Sequence, residues 1–321
     1  MGRTIVIANQ KGGVGKTTTA INLSASLADL GKKILVIDTD PQGNTSSGLG
    51  VEKNEVENTV YELLIGETTI EECIQKEVFE NLDIISSNIN LAAAEIELTG
   101  FEEKEFILKK AVDQVRADYD FIIIDCPPSL NTLTINAMCA ADTVLVPIQC
   151  EYYALEGLSQ LMNTVELVRD RLNPNLEIEG VVFTMYDART NLSLQVVENV
   201  KANLDQKIYK TIIPRNVRLA EAPSYGMPIT KYDARSTGAE SYRLLAEENG
   251  VAPALDGRLP HGVTASLRKG SQDIVIVQNY NEKPAAVPLN ASYTDLETGN
   301  VLSGTLELSK YGVAFLIKAE L

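Results

Sequence analysis

Histidine, paired cysteines, long apolar runs and positive charge are all scarce in this chain of 321 residues, and each scarcity narrows the chemistry. The one histidine, His261, stands between Pro260 and Gly262. Histidine-based acid–base chemistry would have to sit there, and those neighbours read as a loop. The four cysteines, Cys73, Cys126, Cys139 and Cys150, form no CxxC pair. That spacing speaks against a disulfide framework or a zinc site. No apolar stretch is long enough to cross a bilayer. The opening Met-Gly-Arg-Thr runs straight into a strand-like segment, leaving no room for a signal peptide, so the expected location is the cytoplasm. A net charge of −16 argues against a broad DNA-coating surface and against adhesion to acidic lipid. From Val251 onward there are 6 Lys and Arg against 7 Asp and Glu, so the acidity belongs almost wholly to residues 1–250. Any nucleic-acid contact there must be a local basic patch on a repulsive body.

What is present is the composition of a soluble globular protein, with 45% hydrophobic and 22% charged residues. Unbroken apolar runs at Ile5–Ile7, Ile34–Ile37, Leu82–Ile85, Phe121–Ile124, Thr143–Ile148, Ile178–Phe183 and Ile208–Ile213 alternate with helical patterns such as Thr17–Leu30, Glu105–Arg116 and Gly157–Leu172. Strands without polar alternation, separated by amphipathic helices, predict an α/β fold: a mostly parallel sheet covered by helices on both faces. The last seventy residues differ. Short β-type segments at 271–280, 285–289, 304–308 and 312–317 are separated by turn residues and have no crossover helices, which predicts a small antiparallel β domain. The run Asn249-Gly-Val-Ala-Pro253 is the expected boundary, giving domains over 1–249 and 250–321.

The chemistry concentrates after the first strand, in Asn9-Gln-Lys11-Gly-Gly-Val-Gly-Lys16-Thr-Thr18. Glycines let backbone N–H groups converge on a phosphate, and the following helix N-terminus adds partial positive charge. Lys16 is placed to reach the β- and γ-phosphates and the Thr17 hydroxyl to sit on Mg²⁺. The general pattern wants a glycine where Gln10 stands, and a second lysine, Lys11, appears instead. Two further strands end in carboxylates: Ile34-Leu-Val-Ile-Asp38-Thr-Asp40-Pro-Gln-Gly-Asn44 and Phe121-Ile-Ile-Ile-Asp125-Cys-Pro-Pro128. Acids at the mouths of buried strands can hold Mg²⁺ or orient a water. Either Asp alone could be a helix cap, but the three elements together point to a nucleoside-triphosphate site on one sheet edge.

The Lys11–Thr18 run resembles the deviant Walker A box of the chromosome- and plasmid-partitioning ATPases, the ParA/Soj/MinD group of P-loop NTPases. The Asp38–Asn44 run resembles their second acidic box, and Asp125-Cys-Pro-Pro their Walker B element. Thr184-Met-Tyr-Asp-Ala-Arg189-Thr-Asn and Ile213-Pro-Arg-Asn-Val-Arg218-Leu-Ala-Glu-Ala-Pro-Ser-Tyr-Gly resemble the Soj branch, so the likeness covers about residues 2–248. It implies ATP and Mg²⁺ as ligands, an ATP-sandwich homodimer, and a ParB-type centromere-binding partner that stimulates hydrolysis. It also implies individual roles. Lys11 reaches the partner's ATP, while Lys16 and the backbone of Gly12, Gly13, Val14, Gly15, Thr17 and Thr18 hold the phosphates. Thr17 and Asp125 manage Mg²⁺, Asp40 positions the attacking water, and Pro214 and Asn216 border the base. Arg189 and Arg218, expected on loops after strands, contact the phosphates of non-specific double-stranded DNA; such contacts give affinity without sequence readout. The competing reading of these two is an arginine paired with a neighbouring carboxylate. The implied location is the nucleoid, with no membrane partner. A MinD-like membrane cycle would need a basic amphipathic helix near the C-terminus, where the sequence reads as β-type. Cys126 beside the Walker B acid also invites an iron–sulfur reading, but that needs two cysteines per subunit at a symmetric interface, and Cys139 and Cys150 read as core.

From about residue 247 the segments Leu259–Arg268, Ile274–Tyr280, Tyr293–Gly299 and Leu306–Val313 resemble the C-terminal β-domain of family-42 β-galactosidases. The catalytic carboxylates of that family lie in a barrel that these residues do not include, so glycosidase activity is not implied. The combination reads as a fusion, in which the tail either rides passively, obstructs partner contacts, or acts as a binding module beside an impaired ATPase.

Overall fold

The computed structural model describes residues 2–151, 154–204, 206–249, 255, 259–260, 262–268 and 272–319. His261 and most of the expected boundary, residues 250–253, lie outside these.

Eight strands form the first sheet: β1 (Arg3–Ile7), β2 (Ile34–Asp38), β3 (Ile74–Phe79), β4 (Leu82–Ile85), β5 (Phe121–Asp125), β6 (Thr143–Gln149), β7 (Glu177–Tyr186) and β8 (Ile208–Pro214). Their order is β3-β4-β2-β5-β1-β6-β7-β8, parallel throughout except for β3, which pairs antiparallel with β4. The apolar runs explain this arrangement. Alternate residues of one strand enter opposite cores: Val6, Leu35, Ile37, Ile122 and Ile124 pack in one cluster, while Ile5, Ile7, Ile34, Val36 and Ile123 pack in the other. Both faces of the sheet are therefore covered, so a strand gains nothing from polar alternation. Strand β3 was not expected from the sequence. Its IQKEVF composition and half-exposed side chains suit a sheet edge, where charged residues and short pairing are favoured.

The sheet order reverses about β1, and the chain leaving β1 enters helix Lys16–Asp29. Open sheets of this kind bind ligands at the C-terminal strand ends where the order reverses. Helix Lys16–Asp29 is Ser/Thr/Ala-rich and mostly buried, packed against both the sheet and helix Thr237–Glu248. It ends at Gly31, which lies at φ +76° and donates its N–H to the Ala28 carbonyl at 2.9 Å. A glycine closes the helix there because the left-handed conformation is costly for other residues.

The second sheet comprises β9 (Val263–Arg268), β10 (Ile274–Asn279), β11 (Ala285–Asp295), β12 (Val301–Leu308) and β13 (Val313–Lys318). It is antiparallel throughout, in the order β12-β11-β13-β10-β9. Its inward residues, among them Val263, Val275, Val277, Val287, Leu306 and Leu316, form a core of their own. The unit meets the first at the N-terminal edge of the parallel strands. There the Leu267 carbonyl lies so close to Gly31 that a Cβ at that glycine would approach it to 2.0 Å. Arg268 pairs with Glu80 in the β3–β4 turn. A cavity of about 500 Å³ remains between the units, walled by Asp29, Asn81 and Arg243 on one side and Ile276, Tyr280 and Phe315 on the other.

Candidate nucleotide site

Strand register assembles the site. Asp125 stands opposite Ile7 on one side and opposite Asp38 on the other, so both acids and the start of the glycine loop share one sheet edge. The loop turns through Gly13 at φ +74° and Gly15 at φ +86°, and the latter is the N-cap residue of the helix. A Cβ at Gly12 or Gly13 would meet nothing within 4 Å, so the loop borders open space. Two contacts brace it from behind: Thr184 Oγ1 donates to the Val14 carbonyl at 2.8 Å, and Asn9 Nδ2 to the Pro147 carbonyl at 2.7 Å.

The two lysines occupy different places. Lys16 is 7% exposed, and its Nζ donates to the Lys11 carbonyl at 3.1 Å across the mouth of the loop. Burial lowers its pKa, and the Asp125 carboxylate acts in the opposite sense. Lys11 turns outward and pairs with Glu151 at 2.7 Å, both side chains being partly exposed. One lysine thus lies within the loop, while the other stands at the rim of the site.

Asp125 is fully buried. Its Oδ2 accepts from Thr17 Oγ1 at 2.8 Å and from Thr45 Oγ1 at 2.7 Å, while its Oδ1 has no hydrogen-bond partner. Burial, and then the neighbouring Asp38 carboxylate, raise its pKa. An orphaned buried carboxylate oxygen is costly unless something cationic satisfies it. The adjoining hydroxyl and carboxylate oxygens are hard donors of the kind Mg²⁺ takes. The residues therefore fit that ion.

Asp38 has another role. It accepts from the Ser46 N–H at 2.8 Å, Ser46 Oγ at 2.7 Å and the Asp40 N–H at 3.1 Å, pinning the short helix Asn44–Gly48 and with it Thr45. Asp40 is 9% exposed; its Oδ1 accepts from the Gln42 N–H at 2.9 Å and its carbonyl from Ser87 Oγ at 2.8 Å. Thr45 and Glu151 were not singled out in the sequence, since no motif spacing marks them, and Thr184 stood only at the head of a Soj-like run with no role of its own; strand register and the course of the chain bring them to the loop.

Pro214 and Asn216 line a cavity of about 270 Å³ that adjoins Gly15 and Thr18, with Thr184, Leu219 and Tyr242 among its other walls. Asn216 also caps helix Val217–Glu221, its Oδ1 accepting from the Leu219 N–H at 3.2 Å. Arg189 lies in the turn after β7, as expected. Arg218 does not lie on a loop: it is in helix Val217–Glu221, because Asn216 starts a helix immediately after β8. Tyr186 and Pro214 are register partners, so the two arginines follow neighbouring strands at the same sheet edge as the glycine loop. Each is paired with carboxylates, Arg189 with Asp187 and Arg218 with Glu221 and Asp233. All four cysteines are buried free thiols. Burial pushes the Cys126 thiol well above its ordinary range, with the Asp125 charge acting in the same direction. Among the described residues no helix is long and apolar enough to cross a membrane.

Comparison with known proteins agrees with this geometry. Residues 2–178 match the family model described as an AAA domain, and residues 262–316 match that of the β-galactosidase C-terminal domain. The chain is 59% identical over 248 residues to the sporulation initiation inhibitor protein Soj of Bacillus subtilis, covering 77% of this chain and 98% of that one. It is 51% identical over 248 residues to the chromosome partitioning protein ParA of Myxococcus xanthus, covering 77% of this chain and 88% of that one. Similar solved structures include cobyrinic acid a,c-diamide synthase of Mycobacterium smegmatis with bound ATP analog and magnesium. That structure has TM-score 0.68 and 34% identity, over 77% of this chain and 93% of that one. The cell division ATPase MinD of Pyrococcus furiosus has TM-score 0.65 and 29% identity, over 77% of this chain and 98% of that one. With an intact glycine loop, its second lysine and both acidic strand ends, the chain belongs to the ParA/Soj family of chromosome-partitioning ATPases.

Proposed function

We propose that the chain hydrolyses ATP to ADP and phosphate, and uses that cycle as a dimerising switch that takes hold of and releases DNA in chromosome or plasmid segregation. The observation that carries this reading is the buried, unpartnered Asp125 Oδ1 beside the Thr17 hydroxyl, at the mouth of an open glycine loop. Thr17 and Asp125 would hold Mg²⁺, which when bound neutralises charge on the phosphates. The backbone N–H groups from Gly12 to Thr18 cradle the phosphates, and Lys16 exchanges the Lys11 carbonyl for them. Lys11, already at the rim, leaves Glu151 and reaches the ATP of a second copy, so each site is completed by two chains. Asp40 orients the attacking water, and Pro214 and Asn216 border the base. The chemistry is transfer of the γ-phosphoryl group to water by positioning and electrostatics, with no covalent intermediate on the protein.

Arg189 and Arg218 contact DNA phosphates without reading sequence, and dimerisation doubles the patch. A ParB-type partner stimulates hydrolysis and so releases the DNA, giving a cytoplasmic protein associated with the nucleoid. Residues 1–249 carry this activity. The β unit from 250 onward is a passive appendage, a reading supported by its contacts at the sheet edge opposite the glycine loop. The test is ATP turnover with and without duplex DNA and a cognate ParB-type protein, for wild type, Lys16→Ala and Asp40→Ala. Turnover should rise when DNA and partner are both present and disappear in both variants. Normal hydrolysis by Asp40→Ala would remove Asp40 from the water-positioning role.

A further inference from the structure

We infer that Asp187, together with Glu221 and Asp233, sets how tightly the dimer holds DNA: these carboxylates neutralise Arg189 and Arg218 in the free chain and must be exchanged for phosphate on binding. The inference rests on the reading that these two arginines touch the DNA backbone. Asp187 grips Arg189 as a fork. Its Oδ1 accepts from Arg189 Nε at 2.8 Å and its Oδ2 from Nη2 at 2.6 Å, and Oδ1 also accepts the Arg189 backbone N–H at 3.0 Å. This leaves the Arg189 side chain 86% exposed yet already engaged in the two-pronged geometry that a phosphate would use. The hydrogen bonds from Arg189 hold the Asp187 carboxyl well below the usual carboxylate range, so this counter-charge persists at any physiological pH.

Arg218 is met from two sides, by Glu221 Oε2 at 2.9 Å and by Asp233 Oδ2 at 3.6 Å. Glu221 is itself steadied by the Tyr232 hydroxyl at 3.2 Å, and the Tyr232 ring stacks on Tyr225 with centroids 5.0 Å apart. Three carboxylates therefore face Arg189 and Arg218, with Arg215 near enough to act on Asp187 as well, so the charge of these two arginines is already met until DNA arrives. A phosphate gains an arginine only by stranding a carboxylate, which then takes up a cation from solution. The exchange costs affinity and also cancels part of the counterion release that normally makes DNA binding steep in salt. Such an arrangement keeps the monomer off DNA and leaves binding to the doubled patch of the dimer.

The isosteric amides separate charge from structure. Asp187→Asn keeps an Oδ1 acceptor for the Arg189 N–H, and Asp233→Asn keeps the acceptor that serves the Arg235 N–H at 3.2 Å. The experiment is anisotropy of a labelled random-sequence duplex with the full chain, ATP and Mg²⁺, at several salt concentrations. The proteins are wild type, Asp187→Asn, Glu221→Gln with Asp233→Asn, Asp187→Glu, Arg189→Ala and Arg218→Ala. An exposed pair released in each of two protomers should tighten binding about fivefold in Asp187→Asn. The slope of log affinity against log salt should steepen by about one to two, while ATP turnover without DNA stays within about twofold of wild type. Asp187→Glu, which keeps the charge, should restore the wild-type salt slope. If the arginine variants weaken binding but both amide variants leave affinity and slope unchanged, or lower affinity, the inference is wrong and the DNA reading stands. If the arginine variants bind as wild type does, the reading beneath it is wrong.

Discussion

Thr45→Val is the substitution whose outcome the site geometry constrains most closely. Thr45 is buried, and its hydroxyl donates at 2.7 Å to the same Asp125 oxygen that Thr17 serves. If Thr17 turns to Mg²⁺ in the loaded state, Thr45 becomes the side chain that keeps Asp125 in place. Valine is nearly isosteric, so no cavity forms and packing changes little. A hydrogen bond to a charged group contributes about 1.5–3 kcal/mol. Against that, the variant no longer buries a hydroxyl, which returns roughly 1 kcal/mol. The bond wins, leaving a net loss of about 0.5–2 kcal/mol. For a domain near 250 residues that lowers the melting temperature by about 1–8 °C. A similar loss confined to the loaded site would slow hydrolysis about 2- to 30-fold. The assay pairs thermal melts with steady-state ATP turnover, with Thr45→Ser as a control that keeps the hydroxyl and should stay near wild type in both. If Thr45→Val melts and turns over ATP like wild type, Thr45 does not position Asp125 and the account of the acidic edge is wrong.

Ending the chain after Asn249 should leave ATP turnover within about twofold, because the contacts of the β unit lie at the N-terminal edge of the strands; a loss beyond tenfold in a steady-state assay would show that the tail supports the site. Glu151→Gln should favour ATP-dependent dimers by about 2- to 30-fold, since one partly exposed Lys11–Glu151 pair is released in each of two protomers and such pairs are worth about 0.2–1 kcal/mol; analytical ultracentrifugation reads the shift, and weaker dimerisation would reverse the assigned role of Glu151. Asp38→Ala strands the Ser46 and Asp40 N–H groups and should cost about 2–4 kcal/mol in denaturant unfolding; a wild-type midpoint would mean that relief of the Asp38–Asp125 repulsion offsets the lost bonds. Chelating Mg²⁺ should abolish turnover while leaving the nucleotide-free melting temperature within a degree or two, and turnover that persists would remove Asp125 and Thr17 from metal binding.

Much of the site was legible because phosphate binding is local chemistry. A glycine loop between a strand and a helix, and two acids at strand ends, can be read from adjacent residues, and the parallel register then brings Asp38 and Asp125 together. The unbroken apolar runs announced a sheet covered on both faces for the same reason. What escaped was non-local or unpatterned. Strand β3 is polar because it lies at an edge, so no apolar run marks it. Thr45 sits at no recognisable spacing from Asp125, and the Thr184 contact with Val14 joins segments 170 residues apart in sequence. The helix carrying Arg218 arises from the Asn216 cap, a signal present in the sequence but masked by the preceding proline-ended strand. The carboxylates facing both arginines lie two to fifteen residues away, near enough to be suspected and settled only by side-chain direction.

The central claim is a nucleotide site shared by two chains, and dimerisation of Asp40→Ala with and without ATP and Mg²⁺ tests it most directly. By light scattering on a sizing column, Asp40→Ala should be monomeric alone and a stable dimer with ATP and Mg²⁺. The same protein with Lys11→Ala added should stay monomeric while still binding nucleotide. An ATP-bound monomer of Asp40→Ala, or an equally stable dimer lacking Lys11, would contradict the account.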